Sequence, residues 1–332
     1  MASQLRNAGI TGIGSFAPPK VLTNADLEKI VDTTDEWIVT RSGIKERRIV
    51  EDGMVASDLA LEAAKRALDS AGLTPEDIDL IICATISGDV PFPACSCIVQ
   101  DKLGITGIPA FDLQAGCSGW VYSLTTACQF VRSGTYDRVL VIGVDILTSV
   151  TDWTDRSTCV LFGDGAGAAI VGPVPEGMGV LSTVLGADGS AGNAIRIEAG
   201  GSRLRTTEET VRNRQHFIKM EGREVFKFAV KIQGEATLKA LESCGLTSDD
   251  IDLFVPHQAN IRIIEAAAER LGLPAEKVFV NVDRYGNTSA ASIPLALDEA
   301  YRTGRLKEGD VVVAVGFGAG LTWAAAVIKW SM

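Results

Sequence analysis

Two stretches of the 332-residue chain repeat each other at an offset of 173 residues. Residues 67–80 read ALDSAGLTPEDIDL and residues 240–253 read ALESCGLTSDDIDL, with ten of the fourteen positions identical. The same offset aligns DRVLVIG at 137–143 with DVVVAVG at 310–316. Two separate matches at one offset favour an internal repeat over convergence of unrelated helix–turn–strand segments.

Each copy of the repeat predicts a helix, a turn and a buried strand. The amphipathic helix at 61–70 or 238–243 ends at Gly72 or Gly245, a residue type that terminates helices, and a short capped turn follows. Several of the strands are apolar on both faces, which is typical of sheets covered by helices. The sequence therefore predicts an α/β fold in which two pseudo-repeated halves pack as a layered αβαβα sandwich.

A segment rich in proline and glycine, PVPEGMG at 173–179, separates the two copies. We therefore expect an N-terminal half over residues 1–175 and a C-terminal half over residues 176–332. Residues 188–215 show little apolar periodicity, which predicts a surface insertion in the second half, either a lid or a loop. A site formed between two related halves would draw residues from both.

Composition and charge exclude several classes of function. The net charge is −11, and an acidic surface repels nucleic acid and anionic membranes. The start MASQLRNAGITGIG lacks the features of a signal peptide, and the apolar runs are too short to span a bilayer, so we expect a cytoplasmic protein. The odd count of seven cysteines argues against a disulfide framework. Cys95 and Cys97, interpreted as alternating positions of a strand, are not expected to bind metal.

Cys117 is the first candidate for chemistry. A predicted strand at Ala110–Leu113 leads through the small-residue turn AGCSG into an apolar helix that begins near Ser118. The dipole and free N–H groups of a helix N-terminus stabilise a thiolate, so we expect a reactive thiol with a lowered pKa. The alternative is a buried core cysteine, which is the common state of a free cysteine.

His257 and Asn287 are the candidates in the second half. His257 follows an apolar strand, and Asn287 lies in a turn between a predicted strand at 278–282 and a helix that begins directly after it. This turn is the counterpart of the Cys117 turn, so both should lie near a pseudo-twofold axis at facing helix N-termini. Taken singly, the histidine could be structural and the asparagine a helix cap. His216 lies in the polar insertion and is expected at the surface.

Two glycine-rich runs, FGDGAGAAIVG at 162–172 and GFGAGLTWAAAVI at 316–328, could suggest nucleotide binding. A dinucleotide-binding loop requires a helix directly after it, whereas an apolar, strand-like segment follows each of these runs. The second run is better interpreted as a turn that brings backbone N–H groups to an oxyanion.

Together these motifs resemble those of the β-ketoacyl-acyl-carrier-protein synthase III family, the initiating condensing enzymes of type II fatty-acid synthesis, which have the thiolase-like fold. The resemblance covers nearly the whole chain, including DEWIVTRSGIKERRI and DWTDRST, and it is carried by AGCSG, PHQANIRI, YGNTSAAS and GFGAGLTW. It implies an acyltransferase that condenses an acyl-CoA primer such as acetyl-CoA with malonyl-acyl-carrier protein. It also implies a homodimer that needs no metal or other cofactor.

The resemblance implies a role for each candidate residue. Cys117 takes the acyl group from acyl-CoA, while His257 and Asn287 bind the thioester carbonyl of malonyl-acyl-carrier protein. The backbone N–H groups of Cys117 and Ala319 form the oxyanion hole. The remaining assignments are CoA binding by Trp37, Arg41 and Arg156, an acyl pocket with Phe92 (from across the dimer) and Phe317, and carrier-protein docking by Arg262.

On a chain of net charge −11, anionic substrates require a local positive rim at the entrance. We expect this rim to comprise Arg41, Lys45, Arg47, Arg48, Arg156 and Arg262. The closing turn reads GFGAG, with Ala319 where the family often has glycine, and the insertion at 188–215 is longer than expected. The choice of primer therefore stays open.

Several alternatives share part of this pattern. A polyketide or quinolone starter synthase of the same subfamily would carry the same motifs. Plant-type polyketide synthases have GFGPG, hydroxymethylglutaryl-CoA synthases use a glutamate base, and biosynthetic thiolases have a second cysteine near the C-terminus; these three signatures are not found. A non-catalytic thiolase-fold subunit that binds acyl chains is the alternative outside the enzymes, although such proteins usually lose the nucleophile.

Overall fold

The computed structural model describes residues 5–332. Residues 1–4, which begin both the predicted N-terminal half and the stretch MASQLRNAGITGIG, lie outside the described residues. Thirteen strands and ten α-helices follow one another in the described residues. The strands are β1 (Ala8–Phe16), β2 (Val21–Thr23), β3 (Glu46–Arg48), β4 (Leu80–Ala84), β5 (Ala110–Leu113), β6 (Val139–Ile146), β7 (Asp164–Pro173), β8 (Gly179–Ala187), β9 (Ile195–Ile197), β10 (Ile218–Met220), β11 (Leu253–Pro256), β12 (Val311–Gly318) and β13 (Thr322–Lys329).

The α-helices vary from single turns to a 22-residue rod. They are α1 (Asn24–Leu27), α2 (Asp35–Ser42), α3 (Ala56–Ala71), α4 (Cys95–Lys102), α5 (Gly119–Ser133), α6 (Glu208–Arg212), α7 (Gly222–Ser243), α8 (Ile261–Leu271), α9 (Val282–Tyr285) and α10 (Ser292–Arg302). Short 3₁₀ turns at Gly116–Ser118 and Ser289–Ala291 precede α5 and α10. None of the helices in residues 5–332 is long and apolar enough to cross a membrane.

The two main sheets have the same strand order, as the repeat predicts. The first runs β1-β7-β6-β4-β5, and the second runs β8-β13-β12-β11. In both sheets the two pairings at the β1 or β8 side are antiparallel, and the next pairing, β6–β4 or β12–β11, is parallel. Each strand of the second sheet thus has a counterpart in the first.

The predicted strand at 278–282 is wrong. Only Val278 bridges to Phe254, in parallel, and the chain then turns into the short helix α9. The side chain of Gln258 explains the difference, because its Oε1 accepts the N–H groups of Asn281 at 3.0 Å and Val282 at 3.2 Å. A side chain therefore satisfies backbone donors that a fifth strand would have paired with its neighbour.

Five layers result from this topology, confirming the predicted sandwich. Helices α5 and α10 lie between the sheets and share one hydrophobic core with strands from both. Helices α3 and α4 cover the outer face of the first sheet, and α7 and α8 cover that of the second. The middle layer packs closely, since a Cβ on Gly167 of β7 would lie 2.7 Å from Pro294 of α10. Both halves therefore meet at the middle layer, where the turns at Cys117 and Asn287 lead into α5 and α10.

The expected strand positions of Cys95 and Cys97 are also wrong. Both residues lie in helix α4. The carboxylate of Asp112 accepts the N–H groups of Cys95 at 2.7 Å and Ser96 at 2.8 Å, so a side chain from β5 caps the start of this helix. In the described residues, no group of three His, Cys, Asp or Glu side chains is arranged to hold a metal ion.

Candidate active site

Cys117 lies at the strand-to-helix turn that the sequence predicts. Strand β5 ends at Leu113, the 3₁₀ turn Gly116–Ser118 follows, and helix α5 begins at Gly119. Two backbones meet here: a Cβ on Gly116 would lie 2.8 Å from the amide nitrogen of Ala319, and a Cβ on Gly318 would lie 2.4 Å from that of Cys117. Glycine is required at both positions because the closing turn packs directly on the nucleophile turn.

One cavity of about 120 Å³ brings the three candidates together. Cys117, His257 and Asn287 all line it. The other lining residues include Gly116, Leu147, Phe162, Ile195, Ile218, Met220, Phe226, Asn260, Ser289, Phe317 and Ala319. A larger groove of about 550 Å³ lies among residues such as Met54, Asp89 and Trp153, but it contains none of the three. The smaller cavity is therefore the candidate active site.

The Cys117 thiol is not pre-ionised in this site. Burial raises its pKa to about 12, and the charge of the buried Asp145 carboxylate adds to this rise, whereas the nearby Ser289 hydroxyl opposes it. The lowered pKa expected from the helix N-terminus is therefore wrong, because removing the sulfur from water outweighs what the helix end supplies. The resting site holds a thiol, and the proton must leave as the substrate reacts.

We expect alkylation of Cys117 to show this raised pKa directly. The thiolate is the reactive form and remains a small fraction below pH 12, so the iodoacetamide rate at Cys117 should rise about tenfold per pH unit from pH 7 to 9. Mass spectrometry of peptides containing Cys117 gives the rate, with the half-buried Cys244 as internal reference. A plateau below pH 8 would show that the thiol is activated in the resting protein.

His257 is held at the end of β11 as a neutral side chain. Its backbone N–H donates to the carbonyl of Val315 at 2.7 Å, and Phe317 packs edge-on against the imidazole at 5.4 Å between ring centroids. Burial lowers its pKa to about 3, since a charged imidazolium would be desolvated here. At neutral pH the ring therefore offers one N–H donor and one acceptor nitrogen.

Asn287 is fixed by its backbone and by its own side-chain oxygen. Its N–H donates to the carbonyl of Leu161 at 2.9 Å, and its carbonyl accepts the N–H of Gly163 at 3.0 Å. The Oδ1 atom accepts the N–H of Ser289 at 2.9 Å. The capping function considered from the sequence therefore uses Oδ1, while Nδ2 has no acceptor in residues 5–332 and is available to a ligand.

The turn after Asn287 has a strained backbone. Ser289 has a φ of 51°, in the left-handed region that residues other than glycine rarely occupy. The Asp145 carboxylate stabilises this turn by accepting the N–H of Ala290 at 3.3 Å, and it also accepts the N–H of Ile86 at 2.8 Å. A buried carboxylate from the first half thus positions the asparagine turn of the second half.

The proposed CoA residues cluster at the entrance. The guanidinium carbons of Arg41 and Arg156 lie 5.0 Å and 4.9 Å from the ring centroid of Trp37. Asn260, which lines the cavity, donates from Nδ2 to the carbonyl of Arg41 at 2.9 Å. An aromatic ring with two guanidinium groups beside it suits a phosphate-bearing aromatic ligand.

The predicted positive rim needs one correction. Arg47 is fully buried, because alternation along β3 points its side chain inward. Its guanidinium donates to Asn24 Oδ1 at 2.9 Å and to the carbonyl of Val160 at 2.8 Å, so it is a core residue. Lys45 is exposed. Arg262 stands at the start of α8 beside Phe226, with its guanidinium carbon 5.4 Å from the ring centroid.

Part of the insertion forms a wall of the cavity, which the sequence does not reveal. Strands β9 and β10 pair antiparallel and place Ile195 and Ile218 in the lining. Arg214 secures the segment through two hydrogen bonds to Asp152, 2.7 Å from Nε and 2.5 Å from Nη2. His216 is half-buried against Phe217 rather than at the surface. Two isolated isoleucines among polar residues give no periodic signal.

The two aromatic residues assigned to the acyl pocket lie in different places. Phe317 lines the cavity beside His257. Phe92 is 84% exposed and does not line it within a single chain. Asn260 and Ser289 also line the cavity, which the sequence did not predict, although they lie in the PHQANIRI and YGNTSAAS motifs.

Comparison with known proteins gives a consistent result. Residues 111–189 match the family 3-oxoacyl-[acyl-carrier-protein (ACP)] synthase III, and residues 241–330 match its C-terminal part. A β-ketoacyl-[acyl-carrier-protein] synthase III from Caldanaerobacter subterraneus subsp. tengcongensis is 59% identical, over 98% of both chains. One from Symbiobacterium thermophilum is 56% identical, over 98% of this chain and 99% of the relative. The crystal structure of the Thermus thermophilus synthase III has a TM-score of 0.91 and 52% identity, over 97% of this chain and 99% of that one.

Proposed function

Because the chain belongs to the 3-oxoacyl-[acyl-carrier-protein] synthase III family, it is a condensing acyltransferase of fatty-acid synthesis, and we propose that Cys117, His257 and Asn287 carry its chemistry. The reaction is the decarboxylative Claisen condensation of an acyl-CoA primer with malonyl-acyl-carrier protein. The observation that supports this assignment is that all three residues line one cavity, between two halves of the chain.

The first half-reaction transfers the primer to sulfur. The Cys117 sulfur attacks the acyl thioester, and CoA leaves as a thiol, so the proton lost by the cysteine balances the one gained by CoA. Negative charge develops on the carbonyl oxygen, where the backbone N–H groups of Cys117 and Ala319 are the proposed donors. The close packing of Gly116 on Ala319 supports this pairing. One such donor is typically worth about 3 kcal/mol.

The second half-reaction generates and uses an enolate. Malonyl thioester loses CO₂, charge accumulates on its thioester oxygen, and the enolate carbon attacks the acyl carbonyl on Cys117. The bond from that carbonyl to the sulfur then breaks, which releases the β-ketoacyl thioester, and the Cys117 thiolate takes up a proton from solvent. Two neutral donors suit that oxygen, the imidazole N–H of His257 and the amide of Asn287. The lowered pKa of His257 supports this role, because a neutral imidazole can donate a hydrogen bond to this oxygen without giving up its proton. Neither half-reaction requires a metal or a redox cofactor.

The entrance residues are proposed to receive the two anionic substrates. The stacked cluster of Trp37, Arg41 and Arg156 suits the adenine and phosphates of CoA. Arg262 lies on α8, and this helix borders the cavity because Ile263 lines it. Arg262 is proposed to dock the acidic carrier protein. On a chain of net charge −11, these cations attract ligands that the rest of the surface repels.

We expect Trp37→Ala and Arg262→Glu to separate the two substrates. Trp37→Ala should raise the KM for acyl-CoA about tenfold, because the aromatic ring beside the two guanidinium groups is lost. Arg262→Glu should raise the KM for malonyl-acyl-carrier protein by a similar factor and leave the KM for acyl-CoA unchanged. Steady-state kinetics with each substrate varied in turn measure both effects.

Matched controls exist for both substitutions. Arg270→Glu reverses a charge on the same helix, but at its far end, where Arg270 pairs with Glu235 at 3.2 Å. Arg66→Ala breaks another arginine–aromatic contact, with Phe16 at 5.2 Å. If either control raised KM as much as its counterpart, the effect would be general and the assignment would be wrong.

A homodimer is proposed from an exposed apolar loop. Phe92 is 84% exposed and Val90 on the same loop is 47% exposed. A phenylalanine that is so exposed gains by contact with an apolar surface, and a second copy that accepts it would extend the acyl pocket. Light scattering of wild type and Phe92→Asp tests this, since a dimer that depends on the loop should dissociate.

The function itself is tested by acyl transfer and condensation in one series. Wild-type protein is incubated with a panel of straight and branched acyl-CoA primers, and intact mass records one acyl adduct per chain. Malonyl-acyl-carrier protein is then added, and formation of β-ketoacyl product is measured. A chain that forms no adduct with any primer would instead be a binding subunit, and the panel also shows which primer is preferred.

A further inference from the structure

The serine that ends the YGNTSAAS motif contacts the histidine but does not itself line the cavity. Ser292 Oγ lies 2.6 Å from Nδ1 of His257. The same oxygen accepts the backbone N–H of Gln258 at 3.4 Å. Both Ser292 and His257 are buried, so water does not replace either contact. Because Nδ1 is occupied, Nε2 is the ring nitrogen left for a ligand.

The hydrogen-bond partners of Ser292 decide which ring nitrogen of His257 carries the proton. Ser292 Oγ already accepts from Gln258, and its own hydroxyl proton needs an acceptor. Within residues 5–332, Nδ1 of His257 is the acceptor in reach of that proton. If Nδ1 were protonated instead, the buried hydroxyl proton would have no partner. The arrangement that satisfies both the Ser292 hydroxyl and Nδ1 has Ser292 donating to Nδ1 and the ring proton on Nε2.

The serine is held rigidly enough to impose this choice. It is the first residue of α10, which lies between the two sheets. Gln258 fixes the other side, because its Nε2 donates to the carbonyls of Pro256 at 2.8 Å and Phe279 at 3.1 Å. The turn that carries Asn287 leads directly into Ser292, so one short segment positions both Asn287 and the hydroxyl that orients His257.

We propose that Ser292 is a positioning residue that keeps His257 in the tautomer with its proton on Nε2, so that the imidazole donates to the thioester oxygen during decarboxylation. The consequence for catalysis rests on the proposed role of His257. The tautomer itself does not depend on that role and can be measured in the resting protein.

The chain has only two histidines, which makes the measurement direct. In protein labelled with ¹⁵N-histidine, at neutral pH, His257 should show a protonated Nε2 and an unprotonated, hydrogen-bonded Nδ1. A His216→Gln variant assigns the signals. In Ser292→Ala the spectrum should shift toward protonated Nδ1 or a mixture of tautomers. A wild-type spectrum with the proton on Nδ1 would overturn the proposal, whatever the activity of any variant.

Kinetics then separate this proposal from the proposed function. Ser292→Ala should lower the rate of malonyl decarboxylation about tenfold or more and change acylation of Cys117 less than about twofold. Ser292→Thr keeps the hydroxyl and should restore both the tautomer and the rate. Ser123→Ala, which removes another buried hydroxyl, should change neither. If the tautomer shifts in Ser292→Ala while decarboxylation is unaffected, the role of His257 fails and the orienting contact stands.

Discussion

Replacing Cys117 with serine is expected to lower kcat/KM for acyl-CoA by at least about 10³-fold. A serine hydroxyl ionises far less readily than a thiol, and the cavity offers no strong base to activate it. The pKa of His257 is lowered to about 3 by burial, and its Nδ1 is occupied by Ser292. The variant should therefore show no acyl adduct by intact mass and no release of CoA above background.

The control for this substitution is Cys97→Ser. Cys97 is a half-buried free cysteine in α4, outside the cavity lining. This variant should acylate at the wild-type rate, which separates loss of the nucleophile from a general effect of exchanging sulfur for oxygen. An acyl adduct that persists in Cys117→Ser and maps to another residue would show that Cys117 is not the nucleophile.

Replacing Asn287 with alanine is expected to slow malonyl decarboxylation about 10²- to 10³-fold, the usual cost of losing one donor to a developing oxyanion. Acylation of Cys117 should stay within about threefold of wild type. The two half-reactions are measured separately, as CO₂ release from malonyl-acyl-carrier protein and as adduct formation from acyl-CoA. If acylation failed and decarboxylation survived, the assigned division of labour would be reversed.

Asn287→Asp distinguishes the donor from the cap. Aspartate retains an oxygen that can accept the N–H of Ser289, the contact made at 2.9 Å in this structure. It loses the Nδ2 donor and adds a negative charge beside the enolate. The proposed donor role therefore requires Asn287→Asp to lose decarboxylation as fully as the alanine variant while the protein stays folded. Recovery of activity in Asn287→Asp would mean that the residue acts only by capping its turn.

The repeat allowed most of the architecture to be predicted, because two copies of one pattern have to fold in the same way. It anticipated the shared strand order and the layered sandwich. It failed at 278–282, where apolar spacing indicated a fifth strand. The Gln258 side chain binds the backbone donors of that segment, and a pattern of apolar residues carries no information about such a contact.

The sequence indicated where the candidate site lies, but not which distant segments line its cavity. The repeat and the motifs place Cys117 and Asn287 at equivalent turns, and both line the cavity together with His257. Their roles stay predictions until the variants above are measured. Residues contributed by distant segments were missed, such as Ile195 of the insertion and Ile218 just after it, because their relation to the cavity depends on how β9 and β10 fold over it.

By itself, the sequence determined the duplicated α/β architecture and the family, and it predicted a small set of side chains for the chemistry. These follow from periodicity, spacing and motif, which are properties of the chain read in order. The tertiary structure decided the electrostatic state of that set. It desolvates the half-buried Cys117 thiol and raises its pKa, keeps His257 neutral, buries Arg47 in the core and sets Ser292 against the imidazole. Each of these outcomes depends on desolvation or on contacts between segments far apart in the chain, so no local pattern could have specified it.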